Sequence, residues 1–442
     1  MKKIAILGLG KSGIAAANLA VKLNHKVFAS DNSPFRIIKN LNKKVGTEFG
    51  VHSDKILDCD VIIKSPGINP NVSILKKALK KNIKVVSELK FALQFSKYKK
   101  LISITGTNGK TTVVDLISKI IKGHYKDSIT AGNIGFPLSA KSLKTSKNTI
   151  IVMELSSYQL EDTPDLQSDV SVLLNITPDH LEHHKTMASY IKAKGNIFKN
   201  QTGSNFAIIN YDDQLCRKIS SKIKPKKIYF SKKFLKEGVF WDDGKIIIKI
   251  LGKKVAIKPK INMIGFHNIE NILAASAVAF CAGIPPKKIE KTISHYKGIP
   301  HRIEYVAEVN GIKIYNDSKS TNIDSTRVAL SSFDKNILLI MGGLGKGIPY
   351  TPLKKLIEER VKTIFLIGKD ARKIRKDLKN CTRFILSKNI ENTVKDIFKE
   401  ASSGDVVLFS PACASFDQFK NFEERGNYFK KIFLAHIKKN KS

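Results

Sequence analysis

At 442 residues the chain is longer than one hydrophobic core sustains, about 250–300 residues, so two or three domains are expected. Its composition, 42% hydrophobic and 26% charged, is that of a globular protein, and no run approaches the ~20 apolar residues that span a bilayer as a helix. The formal charge of +39, from 77 Lys+Arg against 38 Asp+Glu, is almost all lysine and is spread along the whole length. This reads as a solvated, lysine-decorated surface and not as the concentrated, arginine-bearing footprint of a nucleic-acid binder.

Taken in chain order, the opening MKKIAILGLG is too short and too glycine-broken for a signal peptide and reads as a first β-strand. KVFASD, CDVIIKSPG and IKVVSE follow as further strands between amphipathic helices, the pattern of a parallel α/β sheet. A second α/β cycle opens at LISITGTNGKTT and runs through TIIVMELSS and DVSVLLNIT. From Phe206 to Ile261 the texture changes to short strands, with Asp243-Gly244 predicted as a hairpin turn. The helical HNIENILAASAVAFCAG leads to a linker at Gly298-Ile299-Pro300, and a third α/β cycle follows in NILLIMGG, TIFLIGKD, RFILSK and DVVLFSPA. The expected division is therefore 1–92, 93–298 and 299–442. Five cysteines (Cys59, Cys216, Cys281, Cys381, Cys413) lie far apart, show no zinc spacing, and are expected to be reduced.

The sharpest chemical signal is Gly106-Thr107-Asn108-Gly109-Lys110-Thr111, between the strand LISIT and the helical TVVDLISKII that begins at Thr112. Backbone N–H groups of such a loop cradle phosphate, the lysine meets the terminal phosphate charge, and the hydroxyl after it ligates Mg2+. The loop departs from G-x-x-x-x-G-K-[ST] at Ile104, where the first glycine is due. Glu154 and His180 end or follow strands near it, at the carboxyl side where α/β proteins assemble ligand crevices, and are candidate metal ligands; His183 and His184 read as surface residues. Gly8-x-Gly10-x-x-Gly13 with Asp31 ending the next strand is compatible with a dinucleotide site, but the sequence offers no evident hydride-transfer centre, so a different nucleotide is expected there. NDSKSTN (Asn316 to Asn322) offers an acid, a lysine and hydroxyls after a short strand, and SPACASFDQFKNFEERG (Ser410 to Gly426) offers small residues that let backbone N–H groups approach an anion.

The blocks TGTNGKTT, ELSSYQLE, NITPDHLEHH, YIKAKGNIF, GFHNIENILAA, GIPHRIE, NDSKSTN and SPACASFDQFKNFEERG, in that order, resemble the Mur ligases over nearly the whole chain. The resemblance implies three α/β domains: a Rossmann-like N-terminal domain for UDP (1–92), a P-loop ATP domain (93–298), and a Rossmann-like C-terminal domain for the incoming amino acid (299–442). It implies an ATP-dependent amide ligase working through an acyl phosphate, and the last block points to D-glutamate added to UDP-N-acetylmuramoyl-L-alanine, in a cytoplasmic monomer. By motif, Ser12, Asn32, Ser33, Gly67 and Asn133 fall where the family holds the UDP substrate. Gly106, Thr107, Asn108, Gly109, Lys110, Thr111, Thr112, Asn268, Asn271, Arg302 and Asp317 fall around ATP. Thr111, Glu154, His180 and Lys194 would hold two Mg2+ ions, with Lys194 carbamylated and Lys110, His180 and Lys194 catalytic. Lys319, Thr321, Lys346, Ser415 and Phe422 fall where D-glutamate is held.

The departures are local. Leu344 in MGGLGKGIP stands where some relatives carry an acid, HLEHH replaces an acid-arginine pair, and Lys192 competes with Lys194 for the carbamate position. The rival readings are another Mur-type or folylpolyglutamate-type ligase, a nucleic-acid-stimulated P-loop ATPase resting on the charge, and an NAD-binding protein.

Overall fold

The computed structural model describes residues 1–439 apart from Arg36, Ile134, Asn262 and Ile264. Met1–Lys260 with Ile269–Ser294 form one compact unit carrying two sheets, and Ile261–Asn268 with His295–Ser442 form a second unit carrying a third.

The first sheet comprises β1 (Lys3–Leu7), β2 (Lys26–Asp31), β3 (Gly46–Phe49), β4 (Val61–Lys64) and β5 (Lys84–Ser87), all parallel, in the order β3-β2-β1-β4-β5. The order reverses direction at β1/β4, the position where open α/β sheets leave a crevice. The second contains β6 (Lys100–Thr105), β7 (Ser128–Gly132), β8 (Ile150–Glu154), β9 (Val170–Leu173), β10 (Phe206–Asn210), β11 (Lys226–Ser231), β12 (Gly238–Asp242), β13 (Lys245–Ile250) and β14 (Lys253–Ile257). Their order is β14-β13-β12-β11-β10-β9-β6-β8-β7, parallel except for the β12-β13-β14 meander. β9, β6 and β8 lie side by side toward the β7 edge, and every residue of β8 and β9 is buried, as expected of strands covered by helices on both faces. The meander begins with the predicted hairpin: Asp243 and Gly244 both have positive φ, 40° and 73°, as a two-residue turn between right-twisted strands requires.

In the second unit, β15 (Glu304–Val309), β16 (Ile312–Asn316), β17 (Ile337–Gly342), β18 (Val361–Ile367), β19 (Arg383–Lys388) and β20 (Val406–Phe409) are ordered β15-β16-β20-β17-β18-β19, with only β15 antiparallel. Two apolar clusters cover its faces, one around Leu339, Leu353 and Ile374, the other around Ile340, Phe409 and Phe429.

Helix starts are fixed by side-chain caps where the sequence supplies them. Ser156 and Gln159 form a reciprocal capping box ahead of Ser157–Glu161, Thr186 caps Met187–Gly195, and Asn322 caps Ile323–Leu330. No helix among the described residues is long and apolar enough to cross a membrane, and all five cysteines are unpaired thiols.

Candidate active site

The phosphate-loop sequence forms the bend between β6 and the helix Lys110–Lys122. Gly109 caps that helix at φ 82°, and a Cβ there would run into the side-chain oxygen of Asn271, which is buried against the loop. The loop is braced from β9 by a residue that sequence reasoning passed over. Asn175 Oδ1 accepts from the N–H groups of Thr107 at 3.1 Å and Asn108 at 2.8 Å, and its amide donates to Asn108 O at 3.1 Å. Two loop N–H groups are thus turned to Asn175, and the anion-facing role passes to the first turn of the helix, whose N–H groups point out along its axis.

Two lysines converge on this loop. Lys110 Nζ donates to the carbonyls of Gly106 and Thr107, both at 2.8 Å, and Lys194 Nζ donates to the same Gly106 carbonyl at 2.8 Å. Lys194 is 1% exposed and lies 4.7 Å from the Tyr190 ring centre, whereas Lys192, two residues earlier on the same helix, faces solvent. Burial, with the Lys110 charge beside it, pushes the Lys194 ammonium down to about 7. The geometry thus separates the two lysines that the sequence left in competition.

Glu154 ends β8 in register with Ile104, two residues before the loop. It is buried; Oε1 accepts from Asn133 Nδ2 at 2.9 Å, and Oε2 has no hydrogen-bond partner among the described residues. A buried carboxylate oxygen without a donor is costly unless a cation completes it, so this site fits a metal ion. Thr111 lies in the first turn of the adjoining helix. His180 stands in the turn after β9 at φ 53°, partly exposed, 3.5 Å from both Asp179 and Glu182, with its ring against Tyr158. Among the described residues no hydrogen bond joins it to Glu154 or Lys194. The reading of His184 as a surface residue is corrected: it is 5% exposed and its Nε2 meets Ser157 Oγ at 2.9 Å, while His183 stays partly exposed with Nε2 3.0 Å from Glu161 Oε2. The Tyr158 ring packs against all three histidines, with His184 buried, His183 partly covered and His180 exposed, an ordering that the polar sequence around them does not advertise.

In the first sheet the glycine loop after β1 is closely packed, since a Cβ on Gly13 would overlap the carbonyl oxygen of Gly8. Asp31, the acid that would hold an NAD ribose, accepts from Leu9 N at 2.6 Å and from both the N–H and the hydroxyl of Ser33. Ser12, Asn32 with Ser33, and Gly67 follow β1, β2 and β4, three adjacent strands, and Asn32 and Gly67 are exposed. Asn133, whose amide is engaged by Glu154, follows β7 in the second sheet.

In the second unit Asp317, Lys319, Thr321, Lys346, Ser415 and Phe422 follow β16, β17 and β20, again adjacent strands at their carboxyl ends, while Arg302 precedes β15 and Asn268 lies in the helix Phe266–Cys281. Asp317 faces inward: it is 2% exposed and accepts from Ser410 Oγ at 2.8 Å, Ile303 N at 3.2 Å and the Ser320 hydroxyl. Burial pushes its carboxyl up to about 6. In this structure it organises the loop, and Arg302 beside it is exposed. Lys319 Nζ lies 5.9 Å from the Phe422 ring centre, Thr321 is half-buried, Ser415 is buried, and Lys346 is exposed on the β17 loop. Leu344 pairs with Ala414 through two backbone hydrogen bonds of 2.9 and 3.0 Å, so this departure still ties the β17 and β20 loops together. Arg425 was not singled out from the sequence, yet it is the hub: its guanidinium donates to Ser318 Oγ, Ser318 O and Cys413 O at 2.9–3.0 Å. Cys413 is fully buried, its thiol pushed up to about 11 by burial, so it packs and does not act as a nucleophile.

Three family domains match the chain: the Mur ligase MurD-like N-terminal domain over residues 2–87, the Mur ligase middle domain over 104–279, and the Mur ligase glutamate ligase domain over 301–413. Among curated relatives, the UDP-N-acetylmuramoylalanine–D-glutamate ligase of Elusimicrobium minutum is 42% identical over 98% of each chain. That of Koribacter versatilis is 40% identical over 98% of this chain and 97% of its own. Among solved structures, the MurF ligase of Thermotoga maritima in complex with ADP aligns with a TM-score of 0.60 at 18% identity, covering 99% of this chain and 95% of that one. The UDP-N-acetylmuramate-alanine ligase MurC of the same organism aligns at 0.58 and 17% identity over the full length of both. At those identities the structural likeness speaks to fold alone.

Proposed function

The chain belongs to the Mur ligase family, and on that premise we propose that it joins D-glutamate to the L-alanine carboxylate of UDP-N-acetylmuramoyl-L-alanine, with ATP converted to ADP and phosphate, in cytoplasmic peptidoglycan precursor synthesis. The observation that carries the chemistry is the convergence of Lys110 and Lys194 on one loop carbonyl, next to the strand that ends in the half-satisfied carboxylate of Glu154. The choice of D-glutamate is supported by the full-length likeness to relatives bearing that activity in their name.

In this reading the chain divides at 92/93 and 298/299, and the spans of the three matched domains support that division. Ser12, Asn32, Ser33, Gly67 and Asn133 hold the UDP substrate. The loop from Gly106 to Thr112, with Asn268, Asn271, Arg302 and Asp317, holds ATP. Lys319, Thr321, Lys346, Ser415 and Phe422 hold D-glutamate.

A carboxylate is a poor acyl donor. Its oxygen therefore attacks the γ-phosphorus of ATP, the bond to the β-bridging oxygen breaks, and ADP leaves from an acyl phosphate. The neutral amine of D-glutamate then adds to that acyl carbon, phosphate departs with the electron pair, and the amine proton is lost to solvent. Nearly every participant is an anion, so the residues act by charge and position: Lys110 neutralises the phosphates, and the opening turn of its helix orients them. Two Mg2+ ions, when bound, supply further neutralisation, and Thr111, Glu154, His180 and Lys194 are the residues that would hold them. An ammonium has no lone pair for a metal, so Lys194 serves as the carbamate that forms when its neutral amine adds to CO2 and releases a proton. Its lowered pKa of about 7 supports that reaction.

The test is phosphate release from ATP against a panel of UDP-muramoyl substrates, amino acids and folates. Turnover that requires both UDP-N-acetylmuramoyl-L-alanine and D-glutamate is expected. Turnover with another pair would move the chain to another ligase of the family, and turnover driven by DNA or RNA would overturn the ligase reading.

A further inference from the structure

Glu161, His183 and His184 are not among the residues assigned above, although Tyr158 packs against both histidines and against His180. Glu161 closes the short helix after β8, and the two histidines close the turn after β9. His183 Nε2 is 3.0 Å and His184 Nδ1 4.0 Å from the same carboxylate oxygen, Glu161 Oε2, and the three ligand atoms all lie within 4.8 Å of one another. Donors bound at about 2.0–2.1 Å in a tetrahedron are about 3.3 Å apart, so closing on one ion requires the separations to change by about 1.5 Å at most, within reach of small side-chain rotations.

An independent observation points the same way. The His184 side chain is 1% exposed, and its Nδ1 is buried with no hydrogen-bond partner among the described residues, while Nε2 meets Ser157 Oγ at 2.9 Å. With Nε2–H donating to Ser157, the Nδ1 lone pair faces Glu161 and lacks only an acceptor of electrons, the arrangement in which a second-layer partner fixes the tautomer of a metal-binding imidazole. The Tyr158 ring, 4.3 and 5.5 Å from the two imidazole centres, holds both in place. Glu161 is the exposed side, with 45% of its side chain accessible, so an entering ion would keep a water as fourth ligand.

We propose that Glu161, His183 and His184 form a binding site for one zinc-type divalent ion, tying the segment after β8 to the turn after β9. Two imidazole nitrogens and one carboxylate suit Zn2+ and its transition-metal neighbours, whereas Mg2+ takes oxygen ligands. Closing the site fixes the turn that carries His180. This site rests on the side-chain cluster alone and stands or falls separately from the ligase reading.

The test is a titration of the chelator-treated full-length chain with Zn2+ in excess Mg2+, followed by calorimetry, by the visible bands of substituted Co2+, and by thermal unfolding. One ion per chain is expected, with four-coordinate Co2+ bands and a raised Tm. His183→Ala and Glu161→Gln should weaken binding by about tenfold or more and abolish the Tm shift, Ser157→Ala should weaken it by about tenfold, and His180→Ala should leave it intact. His183 is partly exposed, so its variant reports on the site even where a His184 variant unfolds. Equal Zn2+ affinity in wild type and His183→Ala, loss in His180→Ala with retention in His183→Ala, or no binding by the folded protein would each overturn the proposal.

Discussion

Replacing Lys194 by methionine separates the cost of a buried ammonium from its use. The group titrates near 7 instead of 10.5, a displacement of about 3.5 units, and at about 1.36 kcal/mol per unit the charged form is disfavoured in the fold by roughly 5 kcal/mol at most. The base has a folded pKa below its unfolded one, so the penalty is absent above the unfolded value, grows as the pH falls toward 7, and is complete below it. Methionine fills the space without charge but forfeits the bond to Gly106 O and the contact with the Tyr190 ring, each worth about 1 kcal/mol. In CO2-free buffer at pH 6, Lys194→Met is therefore expected to be more stable than the unmodified chain by ~2–3 kcal/mol, and at pH 10, where under about 1 kcal/mol of the penalty remains, less stable by roughly 1 kcal/mol. The same shift raises the neutral fraction at pH 8 from about 0.3% to about 90%, roughly 300-fold more amine able to take up CO2. Ligation should then be nearly lost in Lys194→Ala, partly restored by added small carboxylates, and only mildly reduced in the exposed Lys192→Ala. Urea unfolding at the two pH values, intact mass and phosphate release read these outcomes. A Met variant less stable than wild type at pH 6, or a fully active Lys194→Ala protein, would refute the reasoning.

Lys110→Ala should lower ligation by about 10²–10³-fold with unfolding midpoint nearly unchanged, since its amine contacts loop carbonyls and not the core; near-normal turnover in the folded variant removes the phosphate-loop assignment. The loops after β16, β17 and β20 should select D-glutamate, so comparable kcat/KM with L-glutamate or D-alanine contradicts their role. Arg425→Lys keeps a cation but cannot serve three acceptors on two loops at once, and should cost roughly 2–3 kcal/mol of stability and raise KM for the amino acid more than it lowers kcat. An unchanged KM would confine Arg425 to the core.

Much of this was legible because it is local. β6, β8, β9, β17 and β20 announce themselves as apolar runs bounded by loop residues, and the phosphate loop as glycines and a lysine between a strand and a helix. β3 and β7 are short and carry Thr, Glu, Ser and Gly, so no apolar run marks them. Lys192 and Lys194 are alike in composition and differ only in facing opposite sides of a helix, about 200° apart, so tertiary packing alone separates them. Asn175 and Arg425 went unnoticed for a related reason: each works through backbone atoms of segments distant in sequence, and no spacing encodes that. His184 was misread because its burial depends on Tyr158 and Ser157, more than twenty residues earlier.

The Asn175 brace bears on how a nucleotide is received. Restricting one residue to a single backbone conformation costs about 1–2 kcal/mol of entropy, and a glycine-flanked loop has more freedom to lose than most. Thr107 and Asn108 are already held by bonds of 2.8–3.1 Å before any ligand arrives. That ordering is completed during folding, so the anion meets a preformed receptor and its contact energy appears as affinity. A chain with the same glycines and lysine but no amide at position 175 would have to assemble its receptor anew at each encounter, losing grip on the nucleotide while keeping every group that touches it.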